Sequence, residues 1–215
     1  MWTSFESAWQ FALVAFSSIF FLVDPFAAIP AFLAITADAD VARRNRMARR
    51  ASWTCFFVLT TFAAVGSYVM KLLGITLPAL EIAGGLIMLL VGLEMLQAQR
   101  SQSQETATEA QEGAAKEDAG IIPLGIPMLA GPGAISTVMV LMGPDPELWR
   151  AVPIFLAIAL TSFSAYWIFT GANRVRAVLG QTGIRVMMRL MGLLLTAVAI
   201  QFAINGLTHL GVIRR

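Results

Sequence analysis

The residues Asp24–Pro30, with the sequence DPFAAIP, interrupt the first hydrophobic segment of the chain, which covers about residues 8–36. Proline has no backbone N–H and clashes with the preceding helical turn, so it breaks a helix. Asp24 followed by Pro25 is typical of a helix start, with a capping residue and then proline at the first helical position. The segment is therefore predicted to form two half-helices, the second restarting at Pro25.

A second break of the same kind lies at Ala130–Thr137, AGPGAIST, inside the hydrophobic segment of residues 121–142. Gly131 followed by Pro132 again predicts a cap and a restarting helix. Prolines also merely kink packed membrane helices, and that interpretation stays open for both breaks. Their occurrence at corresponding positions in two segments favours a functional role.

The composition indicates an integral membrane protein. The 215 residues are 58% hydrophobic and 13% charged, whereas a soluble domain carries roughly 25% charged residues. Apolar runs of about 20 residues match a hydrocarbon core of about 30 Å, and lipid requires their backbone groups to be bonded internally as helices. Six spans are predicted, over about residues 8–36, 52–73, 79–96, 121–142, 151–171 and 187–207.

Arginine clusters predict how these spans are oriented. Arg43–Arg50 and Arg174–Arg185 follow the first and fifth spans, and positive charge marks the cytoplasmic side. Both termini are then periplasmic, and the chain is placed in the cell inner membrane. Residues 99–120 are rich in Gln, Glu, Ala and Ser and cannot bury enough apolar surface to pack, so they are predicted to be a cytoplasmic linker.

The two halves resemble each other at an offset of about 107 residues, which brings Pro25 onto Pro132 and Ala27 onto Ala134. Each half holds three spans, an odd number, so the second half enters the membrane in the opposite orientation. The fold class predicted is all-α, with two inverted three-helix repeats, residues 1–98 and 121–215, each beginning with a broken helix. Such repeats are common in secondary transporters.

The breaks are also the predicted substrate site. A helix start presents unpaired N–H groups and about half a positive charge, which attract a carboxylate. Asp24 either caps its own restart or faces an ammonium group or a coupling cation, H⁺ or Na⁺. The hydroxyls near the second break bind either substrate or their own helix. The residues assigned to the site are Asp24, Pro25, Ala27, Gly131, Pro132, Gly133, Ser136 and Thr137.

Other residue types exclude several classes of function. Cys55 and His209 are the only cysteine and histidine, so no disulfide, cysteine metal site or histidine-based catalytic site is expected. The protein is predicted not to be an enzyme and not to bind a cofactor. The net charge of +2 comes from scattered arginines and gives no reason to expect a nucleic-acid partner. Glu81 is expected either to pair with Lys71 or to reach the interface, and glycines such as Gly84 to allow close helix packing.

Both breaks resemble the signatures of the MarC family. The resemblance rests on residues 24–32 with Thr36, on IPLGIP at Ile122–Pro127, and on Ala130–Thr137. It implies a six-span inner-membrane protein, and some members transport small neutral amino acids such as glycine and alanine. Ala27 stands where the family usually has glycine, and Glu81 where it has arginine.

The function predicted is transport of small neutral amino acids by alternating access at the two breaks. A passive channel, an exporter of another metabolite and a non-transporting membrane subunit are the alternatives. The expected partners are the lipid bilayer and a small-molecule substrate; a homo-oligomer is left open.

Overall fold

The computed structural model describes residues 5–37, 39–97, 120–122, 124–143 and 147–213. All regular structure in these ranges is helical, which confirms the predicted helical membrane protein. Seven α-helices and one π-helical turn, Leu124–Leu129, follow in chain order. The helices are α1 Phe5–Val23, α2 Ile29–Ile35, α3 Val41–Leu73, α4 Leu77–Leu96, α5 Pro132–Met142, α6 Leu148–Thr170 and α7 Ala172–His209.

Four of these helical stretches are long and apolar enough to cross a membrane: α3, α4, α6 and the part of α7 from Thr182 to His209. Two shorter apolar helices, Ala8–Val23 and Pro132–Met142, belong to the two broken segments. The predicted linker lies outside the described residues except for Gly120.

Two helices begin well before the predicted spans. α3 starts at Val41, capped by the Asp40 carboxylate, which accepts a hydrogen bond from the Arg43 N–H at 2.7 Å. The arginine cluster thus lies on the helix itself, because arginine is a good helix former and the helix extends past its apolar part. α7 similarly includes the second arginine cluster and bends at Gly180, where φ is 62°.

Side-chain contacts identify the two ends of the bundle. At the end that carries the arginines of α3, the Arg44 guanidinium donates to the Thr36 carbonyl at 3.0 Å, and Phe32 stacks on Phe169 with ring centroids 4.6 Å apart. At the opposite end, Phe11 meets Trp149 with centroids 5.4 Å apart. Since α3 begins and α6 ends at the arginine end, these two helices are antiparallel.

Glycines bring the backbones of α4 and α7 together. A Cβ placed on Gly92 would lie 2.5 Å from Thr196 Oγ1 and 3.0 Å from the Gly192 carbonyl oxygen. A Cβ on Gly206 would lie 2.8 Å from the Pro78 carbonyl oxygen. The start of α4 therefore packs on the end of α7, and the predicted role of the glycines of α4 in close packing is confirmed.

The larger of the two buried cores lies between α1, α2, α3, the π-helical turn, α5 and α6, and it includes Cys55. A smaller cluster between α4 and α7 is centred on Met88 and Val91. The second break lies where these two cores meet.

Candidate functional site: the two helix breaks

The first break is a turn rather than an immediate restart. Asp24 has a φ of 39°, in the left-handed region, and Pro25–Ala28 form a turn before α2 begins at Ile29. The Ala27 N–H donates to the Asp24 carboxylate at 3.2 Å. The prediction that the helix restarts at Pro25 is wrong, because an N-cap residue needs an extended backbone and Asp24 is not extended.

The second break has the predicted form. Gly131 is an extended N-cap with φ −74° and ψ 168°, Pro132 begins α5, and no side chain caps the helix start. The chain reaches Gly131 through the π-helical turn, in which Ile126 is fully extended. The first N–H groups of α5 therefore have neither a partner inside the helix nor a side-chain cap.

The side chains after Gly131 are tightly placed. The Ser136 hydroxyl donates to the Gly133 carbonyl at 3.0 Å, so it bonds its own helix. The Thr137 hydroxyl is buried and has no hydrogen-bond partner among the described residues. A Cβ on Gly133 would lie 2.7 Å from Met88 Cγ, which shows that this glycine also admits the Met88 side chain.

A small, partly open cavity lies beside the start of α5. Its volume is about 30 Å³, room for a water or two. Gly131–Ala134 form one wall, Met88 and Val91 of α4 with Leu195 of α7 form another, and Leu22 closes it from the end of α1. We refer to it as the break cavity.

The structure brings the two breaks near each other but not into one cavity. Leu22, two residues before Asp24, lines the break cavity, and Ala27 packs on the cluster around Met88 and Val91. Asp24 and Pro25 are not among the residues that line it. Thr36 lies apart from the cavity lining, and its hydroxyl donates to the Phe32 carbonyl at 2.7 Å.

One polar pair was missed by the sequence analysis. Glu81, 4% exposed in the first turns of α4, lies 2.9 Å from His209 at the end of α7. The signal that could have found it is the order of the spans, which brings the start of the third and the end of the last to the same side. Within the described ranges, no group of three His, Cys, Asp or Glu side chains could hold a metal ion.

Comparison with known proteins matches the breaks and nearly all of the remaining chain. A family model described as "MarC family integral membrane protein" matches residues 9–210. A UPF0056 membrane protein of Aquifex aeolicus is 35% identical over 196 residues, covering 91% of this chain and 92% of the relative. The UPF0056 membrane protein YhcE of Escherichia coli is 33% identical, covering 89% of each chain. No solved structure matches. The family match extends over both broken segments and the helices packed around them, and the chain therefore belongs to the MarC family of integral membrane proteins.

Proposed function

We propose that this protein transports small solutes across the cell inner membrane, with small neutral amino acids as the substrate class. The observation that carries the proposal is the uncapped start of α5, which opens on the break cavity between two apolar cores. A helix start left without a cap at membrane depth favours an anionic group brought by a ligand.

The architecture proposed for this transport is six crossings arranged as two inverted repeats. The antiparallel packing of α3 with α6, and of α4 with α7, is what an inverted repeat requires of corresponding helices. The broken segments, α1 with α2 and the π-helical turn with α5, would be the first crossing of each repeat. The arginine clusters support periplasmic termini.

The chemistry of the site suits a small zwitterion. The substrate carboxylate would accept hydrogen bonds from the first N–H groups of α5, near Gly131 and Gly133, where no side chain intervenes. The ammonium group would approach the Asp24 carboxylate or carbonyls released by the first break. The Ser136 hydroxyl is bonded to its own helix, and the Thr137 hydroxyl is buried outside the cavity lining, so it would contact substrate only after the helices around it move apart.

The break cavity has room for only a water or two, so it must widen before it can take an amino acid. Binding and release then require α4 and α7 to separate from the start of α5. Alternating exposure of the site to the two sides of the membrane is the mechanism proposed, because sites between broken helices of inverted repeats commonly work in this way.

The direct test is the thermal stability of the purified protein against a panel of amino acids and other small metabolites. Glycine or alanine at about 100 times its dissociation constant should stabilise the folded protein by about 2.7 kcal/mol, and larger amino acids should not. Countertransport of labelled substrate in proteoliposomes then separates a carrier from a channel, because only a carrier exchanges. A panel without any stabilising solute would contradict the proposal.

A matched pair of variants locates the binding site. Gly133→Val should abolish stabilisation by substrate, because its side chain covers the start of α5. Since a Cβ there also meets Met88, the double variant Gly133→Val with Met88→Ala relieves the packing clash. If the double variant recovers both stability and substrate binding, the effect is one of packing and the site lies elsewhere.

A further inference from the structure

A groove separate from the two breaks opens on the surface of the bundle between α3 and α6. It has a volume of about 550 Å³, within the range of ligand pockets. We call it the α3–α6 groove, and its lining residues are Arg49, Ser52, Trp53, Phe56, Ala159, Ser162, Phe163 and Tyr166. Trp53 and Phe163 are 54% and 60% exposed, so the groove faces the surroundings of the bundle.

The groove has a charged mouth and an apolar depth. Its residues on α3 recur at intervals of three and four, which places them on one helix face. Since α3 and α6 are antiparallel, Arg49 and Tyr166 lie together at the arginine end, and Phe56 and Ala159 lie deeper. Seven residues of helix correspond to a depth of about 10 Å. Trp and Tyr are enriched at the level of lipid headgroups, which places the mouth at the interface.

Arg49, Ser52 and Ser162 lack a strong polar partner in the part of the chain that the structure describes. Arg49 is exposed and forms no ion pair within the part of the chain that is described. The hydroxyls of Ser52 and Ser162 belong to side chains only 6% and 4% exposed, and neither has an oxygen or nitrogen partner among the described residues. Ser162 lies beside the Cys55 thiol, which is a weak hydrogen-bonding group. Buried hydroxyls in folded proteins are normally hydrogen-bonded, so a ligand that accepts two such bonds would satisfy them.

We propose that the α3–α6 groove binds one anionic phospholipid of the bilayer. The lipid phosphate lies on the Arg49 guanidinium, the ester oxygens accept from the Ser52 and Ser162 hydroxyls, and one acyl chain lies between Phe56 and Phe163. The groove becomes less polar with depth, from a guanidinium at the mouth to hydroxyls below it and aromatic rings at the bottom. A phospholipid has the same order, from phosphate to ester groups to acyl chains. A helix from a second copy is a poorer occupant, because an apolar helix face would leave both hydroxyls and the arginine unpaired. The proposal does not depend on the proposed transport function.

The test is native mass spectrometry of the full-length protein in detergent, titrated with phosphatidylglycerol or with phosphatidylcholine. One phosphatidylglycerol should bind in preference to phosphatidylcholine. Arg49→Gln should weaken phosphatidylglycerol binding about fivefold and remove the preference, since one arginine near a membrane surface contributes about that factor. Arg49→Lys should keep most of it. Arg189→Gln, which removes an exposed arginine of α7, is the matched control and should leave binding unchanged.

A filling variant tests the groove itself. Ala159→Trp should prevent lipid binding while leaving Arg49 in place. The melting temperature of this variant without added lipid shows whether the protein still folds. Equal binding of the two lipids to the natural protein would overturn the proposal, as would an unchanged preference in Arg49→Gln. A change in oligomeric mass in Ala159→Trp, with lipid binding retained, would overturn it in favour of an interface between copies.

Discussion

The carboxylate of Asp24 has two separable properties, a charge and a hydrogen bond to the Ala27 N–H. The Asp24→Asn variant keeps an oxygen for the bond and removes the charge. Under the proposed role in binding an ammonium group or a coupling cation, uptake of the substrate into vesicles should fall at least about tenfold, which corresponds to 1.4 kcal/mol.

The thermal stability of the Asp24 variants is the control for the uptake measurement. The melting midpoint of Asp24→Asn should stay near that of the natural protein, whereas Asp24→Ala loses the bond as well and should be less stable by about 1 kcal/mol. Full uptake by Asp24→Asn would restrict Asp24 to a structural role in the turn.

The Glu81–His209 pair makes a prediction about stability. Removing His209 leaves a buried carboxylate without its 2.9 Å partner, so His209→Phe should destabilise the protein by about 1 kcal/mol. Glu81→Leu combined with His209→Phe should recover most of that loss, because an apolar pair leaves no unsatisfied acceptor. Thermal melting of the two single variants and the double variant gives the coupling energy. Additive effects would show that the contact contributes nothing.

Individual residues differed in how far their roles could be read from sequence. The packing role of the glycines followed from residue type alone, because small residues, and glycine most of all, let two helix backbones approach closely. The partner of Glu81 depended on which turns of α4 and α7 face each other, and local sequence carries no information about that register. The same limit applies to Gly133, whose contact with Met88 comes from another helix.

Among the elements, the contact between α4 and α7 should be the least tolerant of substitution. A Cβ on Gly192 would lie 2.8 Å from both the Gly92 carbonyl oxygen and the Leu96 nitrogen. Gly192→Leu should therefore separate the two helices and cost about 3 kcal/mol or more. Leu193→Ala changes the neighbouring residue, whose side chain is 57% exposed, and should shift the melting midpoint little. Equal melting midpoints for the two variants would contradict the packing described here.

The broken segments were predictable as elements, and their details were predictable only in part. Gly131 and Pro132 gave the correct start of α5, because an extended cap before proline is a local property. The first break contains the same kind of signal, yet α2 begins four residues after Pro25, at Ile29. The left-handed backbone of Asp24 redirects the chain into a turn. Aspartate tolerates this conformation better than most residues, but its residue type does not show whether the conformation is adopted at a given position.

For the whole molecule, the prediction to test is its orientation in the membrane. Gly120 packs against Arg50 and Met47 of α3, so the end of the predicted linker lies at the arginine end. A fluorescent protein inserted between residues 99 and 120 should fluoresce, as expected for the cytoplasm. Alkaline phosphatase fused after Arg215 should be active, as expected for the periplasm. An inactive phosphatase with a stable fusion would contradict the odd number of crossings in the second half.

The class of the whole molecule followed from composition and from the length of apolar runs, because a bilayer imposes both. The helix ends at the membrane surface could not be predicted from composition or from the length of apolar runs. Val41 and Ala172 begin their helices in polar sequence, where hydropathy gives no boundary and helix propensity continues the element.

The glycine contacts of α4 and α7 also have a mechanical consequence. Two helices that touch backbone to backbone have few side chains between them that could rearrange. We therefore expect α4 and α7 to move together as one rigid body, which we call the α4–α7 lever. Met88, Val91 and Leu195 of this lever face Leu22 and the start of α5 across the break cavity. Opening the cavity would then be a rocking of the lever about its edges, with α1, α3 and α6 as the frame against which it tilts.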